Sequence, residues 1–172
     1  MENINNKIEC VTGNRPKGLP WKYNEGDRRC IQCKQEIKDV LLNDINNGYN
    51  YFISGMALGI DMIYAEIVLE LQQLYPNIKL ECAIPCINQT KKWFQKDINR
   101  YNSILNKADK VTYVSNSEYY NACMEKRNQY MVNKSNKILA VFNGQVGGTS
   151  QTIKYAKDSS KEVQIIDLNK FN

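Results

Sequence analysis

Tyr51–Glu66 reads YFISGMALGIDMIYAE, a short apolar run, a glycine-bearing turn, then apolar positions at helical period. This is strand, tight loop and helix. It places Ser54, Gly55 and Gly59 where free backbone N–H groups and the positive end of a helix dipole converge, an arrangement suited to an anion. Gly55 and Gly59 permit backbone geometry, or a close approach, that a side chain would block. Asp61 stands at the helix start, where a carboxylate caps exposed N–H groups or accepts from a ribose hydroxyl. That position predicts a charged Asp61 with a lowered pKa. Neither G-x-G-x-x-G nor G-x-x-x-x-G-K-[ST] occurs, so on this segment alone a strand-to-helix turn without a ligand stays open.

Outward from this unit the same alternation continues. KIECVT (residues 7–12) reads as a first strand running into Gly13, Asn14, Arg15 and Pro16, a loop too polar and rigid for a hairpin. Arg15 is a candidate to grip a phosphate or carboxylate at two points, with a solvated loop arginine as the alternative. Ile31, Ile37, Val40, Leu41 and Ile45 mark a helix over residues 28–47, stopped by Asn47 and Gly48. In the central helix Ile63, Ile67, Val68, Leu71 and Leu74 form the core-facing stripe, closed by Pro76. Residues 80–84 form a third strand ending at Pro85, and 90–107 a polar helix. Then come a strand at 110–114, a helix at 122–133, a strand at 137–142, a helix at 151–157 and a strand at 163–166. The pattern predicts one α/β domain over residues 1–172, a Rossmann-like, doubly wound, mostly parallel sheet with helices on both faces. In such a sheet the ligand lies beyond the C-terminal strand edge. The loops TGNRP (12–16), SGMALGID (54–61) and NGQVGGTS (143–150) all fall there. Together they predict a phosphate-bearing small ligand.

Composition narrows the classes. The chain has 172 residues, 42% of them hydrophobic and 24% charged, as expected of a globular protein with a real core. No apolar run approaches a bilayer span, and MENINNKIEC lacks a secretory pattern, so no membrane partner and a cytoplasmic location are expected. The net charge of +5 is mild and spread along the chain, so nucleic acid is not expected as a partner. Six cysteines accompany no histidine, which predicts reduced thiols, no metal and no cofactor. Cys30 and Cys33 read as two small residues on one helix face.

TGNRP, FISGMALGIDMIYAEIVLEL, AIPC, the KW at 92–93, KRNQYMVNKSNKILAVFNG and the closing GGT before a tyrosine–alanine helix resemble the YpsA-like proteins of the SLOG superfamily. That Rossmann-like group also contains the Lonely Guy phosphoribohydrolases and the DNA-processing protein A. The similarity covers nearly the whole chain. It implies a nucleotide-derived ligand, dimerisation or a higher homo-oligomer, and roles in nucleotide signalling or conflict between phage and host. By position, Thr12, Gly13, Arg15, Pro16, Ser54, Gly55, Ala57, Gly59, Asp61, Pro85, Arg127, Asn128, Gly147, Gly148 and Thr149 match motifs lining the superfamily's ligand cleft. Departures accompany the match. YpsA-like relatives often carry His where this chain has Asn14, and Asp where it has Asn133. The hydrolytic motif of the Lonely Guy enzymes continues to a glutamate, whereas Ser150, Gln151 and Thr152 follow Thr149 here.

That absence separates the functional classes. Hydrolysis of a nucleotide's glycosidic bond needs a placed carboxylate, and near the glycine loop only Asp61 and Glu66 qualify. A binding module needs the loops alone. The expectation is therefore a protein that senses, carries or sequesters a nucleotide-derived phosphate compound, with a phosphoribohydrolase-like enzyme using Asp61 or Glu66 as the alternative.

Overall fold

A computed structural model describes residues 5–172; the first four residues of the amino-terminal segment read for a signal lie outside it. Six strands, β1 (Ile8–Gly13), β2 (Tyr51–Ser54), β3 (Lys79–Ile84), β4 (Lys110–Tyr113), β5 (Lys137–Phe142) and β6 (Glu162–Asp167), alternate with five helices, α1 (Arg28–Asn46), α2 (Ile60–Gln72), α3 (Gln95–Lys107), α4 (Cys123–Lys134) and α5 (Gly148–Asp158). The strands form one sheet in the order β4-β3-β2-β1-β5-β6, and every pairing is parallel. The chain winds outward from β1 to β4, then returns across to β5 on β1's other side. The connections therefore diverge between β1 and β5, and a crevice opens there.

Side chains alternate between two cores. Val11, Phe52, Leu80, Cys82, Leu139 and Val141 face a larger core with α1, α2 and α3. Cys10, Ile53, Ala83 and Ile138 face a smaller one with α4 and α5. Both faces of β1 and β5 are covered, which is why CV (residues 10–11) and ILAV (residues 138–141) read as continuous apolar runs.

Three local expectations are corrected. The buried stripe of α1 runs through Cys30, Cys33, Ile37, Leu41 and Asp44, and Ile31 is exposed; the two cysteines, one turn apart, take the inner face. Leu74, expected on the α2 stripe, lies beyond the helix end and is also exposed. Helix α3 begins at Gln95 rather than near Thr90, because residues 88–93 close two turns, with Lys91 N–H on Asn88 O and Trp93 N–H on Thr90 O. All six cysteines are free and buried, and burial pushes the Cys33 thiol up to about 12. Among the described residues no cluster of three or more His, Cys, Asp or Glu is placed to hold a metal. No described helix is long and apolar enough to cross a membrane.

A buried polar cluster sits at the amino ends of the strands. Lys137 Nζ donates to both carboxylate oxygens of Asp44 at 2.7 and 2.8 Å and to Gln164 at 2.6 Å. Tyr64 donates to Glu9 Oε1 at 3.0 Å, while Glu9 Oε2 has no donor among the described residues. One lysine thus serves two buried carboxyls. Burial, then the neighbouring Asp44 carboxylate, push the Glu9 pKa well above its ordinary value. A group with a raised folded pKa binds more protons folded than unfolded, so its stabilisation is complete below the unfolded pKa and is lost as pH rises through the folded one. Glu9→Gln, which keeps an acceptor for Tyr64, is expected to flatten the decline in stability above about pH 4.5, the unfolded value, in urea titrations across pH. An unchanged slope would remove Glu9 as its source.

Candidate functional site

Above the crevice between β1 and β5 lies a cavity of about 450 Å³. Its walls come from the loops after β1, β2 and β5 and from one face of α4. Thr12, Gly13, Arg15, Ala57, Asp61, Arg127, Asn128, Gly147, Gly148 and Thr149 line it, so ten of the fifteen residues assigned by resemblance meet in one place. Ser54 and Gly55 are buried outside this lining, as is Pro85. Pro16 and Gly59 face a second cavity.

Arg127 organises the floor. It is 3% exposed, and its Nη1 donates to the Gly55 carbonyl and to Ala83 O at 3.5 Å. Its Nε donates to Asn128 Oδ1 at 2.9 Å, and the partner of Nη2 is the Met124 sulfur at 3.8 Å, a weak acceptor. A Cβ on Gly55 would come within 2.6 Å of Nη1. Gly55 therefore makes room for the guanidinium, not for a ligand. Burial lowers the Arg127 pKa, with Asp61 opposing the shift; arginine stays charged in either case.

The β2–α2 loop is held from within. Ser54 Oγ donates to Asp61 O at 2.7 Å and accepts from Met56 N–H at 3.2 Å, which supports Met56 at a φ of 59°. Gly59 has a φ of 93°, and a Cβ there would meet Asn14 O at 2.7 Å, so only glycine lets the first loop lie against the helix start. Asn14 ties the loops together. Its carbonyl accepts from Ile60 N–H at 3.3 Å, and its Oδ1 from Asn143 N–H at 3.1 Å.

Asp61 Oδ2 accepts from Ala57 N–H at 3.2 Å, a cap of the kind expected, but its pKa moves the opposite way from the expectation. Burial raises it, and Arg127, the Ala57 N–H and Arg15 offset that only in part. Desolvation of a carboxylate that is 7% exposed outweighs the helix dipole. Glu66 is corrected as well. It is exposed and pairs with Arg100, away from the cavity, so the two carboxylates of the hydrolase alternative do not share a site.

At the far wall α5 presents its amino end. Gln151 N–H reaches Gly147 O at 3.0 Å, so the amides of Gly148, Thr149 and Ser150 precede the helical ladder. A Cβ on Gly147 or Gly148 would meet nothing within 4 Å: open space faces these two residues. Arg15, which is exposed, and Lys17 complete the rim. Three cations and one acid therefore line the cavity. Lys17, Asn14, Asn143 and Gln145 also line it and were not singled out as site residues from the sequence. Asn143 and Gln145 belong to the third glycine loop, whose glycines drew the reading.

Solved structures of the same fold include DNA processing protein A from Helicobacter pylori, at a TM-score of 0.63 and 17% identity over 95% of this chain and 70% of that one. The Streptococcus pneumoniae protein of the same name has a TM-score of 0.62 and 15% identity, covering 93% of this chain and half of that one. The H. pylori structure is described by its single-stranded DNA binding mode, which overturns the expectation that nucleic acid is not a partner. A mild, spread net charge measures the whole surface and says little about one crevice holding three cations. Sequence relatives include a UPF0398 protein of Bacillus cereus (strain B4264), 30% identical over 91% of this chain and 83% of its own length. Another, from Bacillus thuringiensis (strain Al Hakam), is 29% identical over 92% and 86%. A model described as the YspA SLOG family matches residues 9–171, and with the sheet order and crevice just described it establishes that the chain belongs to this family.

Proposed function

We propose that the crevice binds a nucleotide-derived compound through its phosphate, and that the protein senses, carries or sequesters this ligand. The observation carrying the reading is the buried Arg127 guanidinium, with one N–H group left to a thioether, opposite the unladdered amides of α5 across a cavity of about 450 Å³. A buried cation beside a helix amino terminus favours an anion. A second reading, in which the phosphate belongs to single-stranded nucleic acid, draws support from the DNA processing protein A structures.

Both are tested by thermal shift with mononucleotides, dinucleotides, ADP-ribose, cyclic nucleotides and a short single-stranded oligonucleotide. A binder at 100 times its Kd is expected to stabilise by about 2.7 kcal/mol. Arg15→Ala is expected to weaken the best binder by about 1.5 kcal/mol, roughly tenfold, the lower range for a charge-assisted bond because Arg15 is exposed. Silence from the whole panel at millimolar concentration would sink the proposal.

A further inference from the structure

A groove of about 220 Å³ lies between α4 and α5 and adjoins the first cavity. Met124, Asn128 and Gly148 line both. Gly148 has no side chain and a Cβ there would meet nothing within 4 Å, so the boundary is open space on the α5 side. Across it Asn128 has a fixed orientation. Arg127 Nε, which can only donate, takes Asn128 Oδ1 at 2.9 Å. The Nδ2 group is thereby turned away from the guanidinium; it has no acceptor among the described residues and remains open to the surface. Beyond this junction the electrical sense reverses. No lysine or arginine lines the groove, and the one charged side chain among its lining residues is Glu125. Gln129 Nε2 donates to Glu125 Oε1 at 3.4 Å, which leaves Gln129 Oε1 and Glu125 Oε2 as acceptors without donors among the described residues. Such a lining repels a phosphate and attracts hydrogen-bond donors.

We propose that this groove is the nucleoside subsite of the ligand whose phosphate sits in the first cavity: the attached sugar passes between Asn128 and Gly148, and its hydroxyls or an exocyclic amine of the base donate to Glu125 and Gln129. The proposal rests on the phosphate reading of the first cavity and names the remainder of that ligand as a nucleoside carrying donors away from its phosphate. At the junction Asn128 Nδ2 donates to an ester or sugar oxygen, acceptors that every such unit has. Tyr155, half-buried in the groove lining, commits its hydroxyl to Asn133 Oδ1 at 2.8 Å, so its ring is what it brings to a base. Met124, the third boundary residue, is the partner of Arg127 Nη2 at 3.8 Å. One buried arginine thus serves the anion and also sets the two side chains past which the nucleoside leaves.

Glu125 is exposed and Gln129 half-buried on α4, so Glu125→Gln and Gln129→Leu leave the core untouched, and neither residue lines the first cavity. Inorganic phosphate, AMP, IMP and 2′,3′-dideoxy-AMP are titrated by calorimetry. AMP is expected to bind at least about tenfold tighter than inorganic phosphate, as two further hydrogen bonds would give. IMP, with a carbonyl in place of the amine, reads the base, and the dideoxy compound reads the sugar. At least one of them is expected to bind about fivefold more weakly than AMP, the loss of one hydrogen bond, and the one that weakens identifies the donor. Glu125→Gln is expected to lower AMP affinity about fivefold while inorganic phosphate binds as tightly or tighter, because a like charge has gone; damage to the fold would weaken both together. Gln129→Leu is expected to cost AMP about threefold, the lower end for a neutral bond. AMP no tighter than inorganic phosphate, matched by both analogues, or undiminished by both substitutions would overturn the groove and leave the first cavity's reading standing. No binding of any probe would overturn both.

Discussion

Arg127→Met is expected to abolish phosphate binding in the crevice and to lower stability by about 3 to 5 kcal/mol, from several buried acceptors left unsatisfied at about 1 to 3 kcal/mol each. The side chains are similar in length, so the loss is electrostatic and hydrogen-bonded rather than a cavity. Without the guanidinium, the carbonyls of Gly55 and Ala83 and the Asn128 Oδ1 lose their donor. Asp61 loses the largest influence opposing its raised pKa, so it is pushed further up and takes a proton at a higher pH. The variant's stability should consequently fall more steeply than the wild type's as pH rises through that pKa. Urea denaturation at two pH values reads the stability, and calorimetry with the best binder from the nucleotide panel reads the affinity. A folded variant that binds as tightly as the wild type would remove Arg127 from the site.

Lys137→Met is expected to cost a similar ~3 to 5 kcal/mol with ligand affinity intact. Lys137 and Asp44 are 3% and 2% exposed, and Lys137 also compensates Glu9, whose carboxyl is fully buried beside them. Removing the cation leaves two carboxyls facing one another in the core, and they can be accommodated only by holding protons. For a chain of this length the melting temperature should drop by about 6 to 20 °C, taking ~2 to 4 °C per kcal/mol. Asp44→Asn added to Lys137→Met should restore part of the loss, because the pair is coupled. The cluster lies at the amino ends of the strands and the crevice at their carboxyl ends, so the two variants separate stability from binding. A loss of less than 1 kcal/mol for Lys137→Met would show that water reaches the cluster.

The parallel sheet and the three loops were legible because they rest on local signals: period-two and period-3.6 apolar patterns and glycines at strand ends. What escaped depends on partners distant in the chain. Glu9, Asp44, Tyr64, Lys137 and Gln164 meet from five separate elements, and no window of sequence contains them. Gly55 was legible as special, but its reason, the space taken by Arg127 72 positions away, was not. Asp61 shows a conflict between two local rules. Its place at a helix start argued for an easily ionised carboxyl, and its depth, which sequence does not report, reversed the direction. Ile31 misled because cysteine carries little weight as a core former when apolar positions are counted, yet Cys30 and Cys33 hold the inner face.

The strand order carries a consequence for how the protein is made. Strand β1 is central, pairing with β2 on one side and with β5 on the other, and β5 begins 124 residues after β1 ends (137 − 13). A chain emerging from the ribosome with only residues 1–113 complete can already assemble β1 to β4, but β1 is then an edge, offering an unpaired row of backbone groups. Until β5 arrives the nascent sheet is exposed to pairing with other chains, and the crevice lacks both α4 and α5. Ligand present during synthesis therefore cannot template the first half. It can only capture the chain after the late strand has closed the centre.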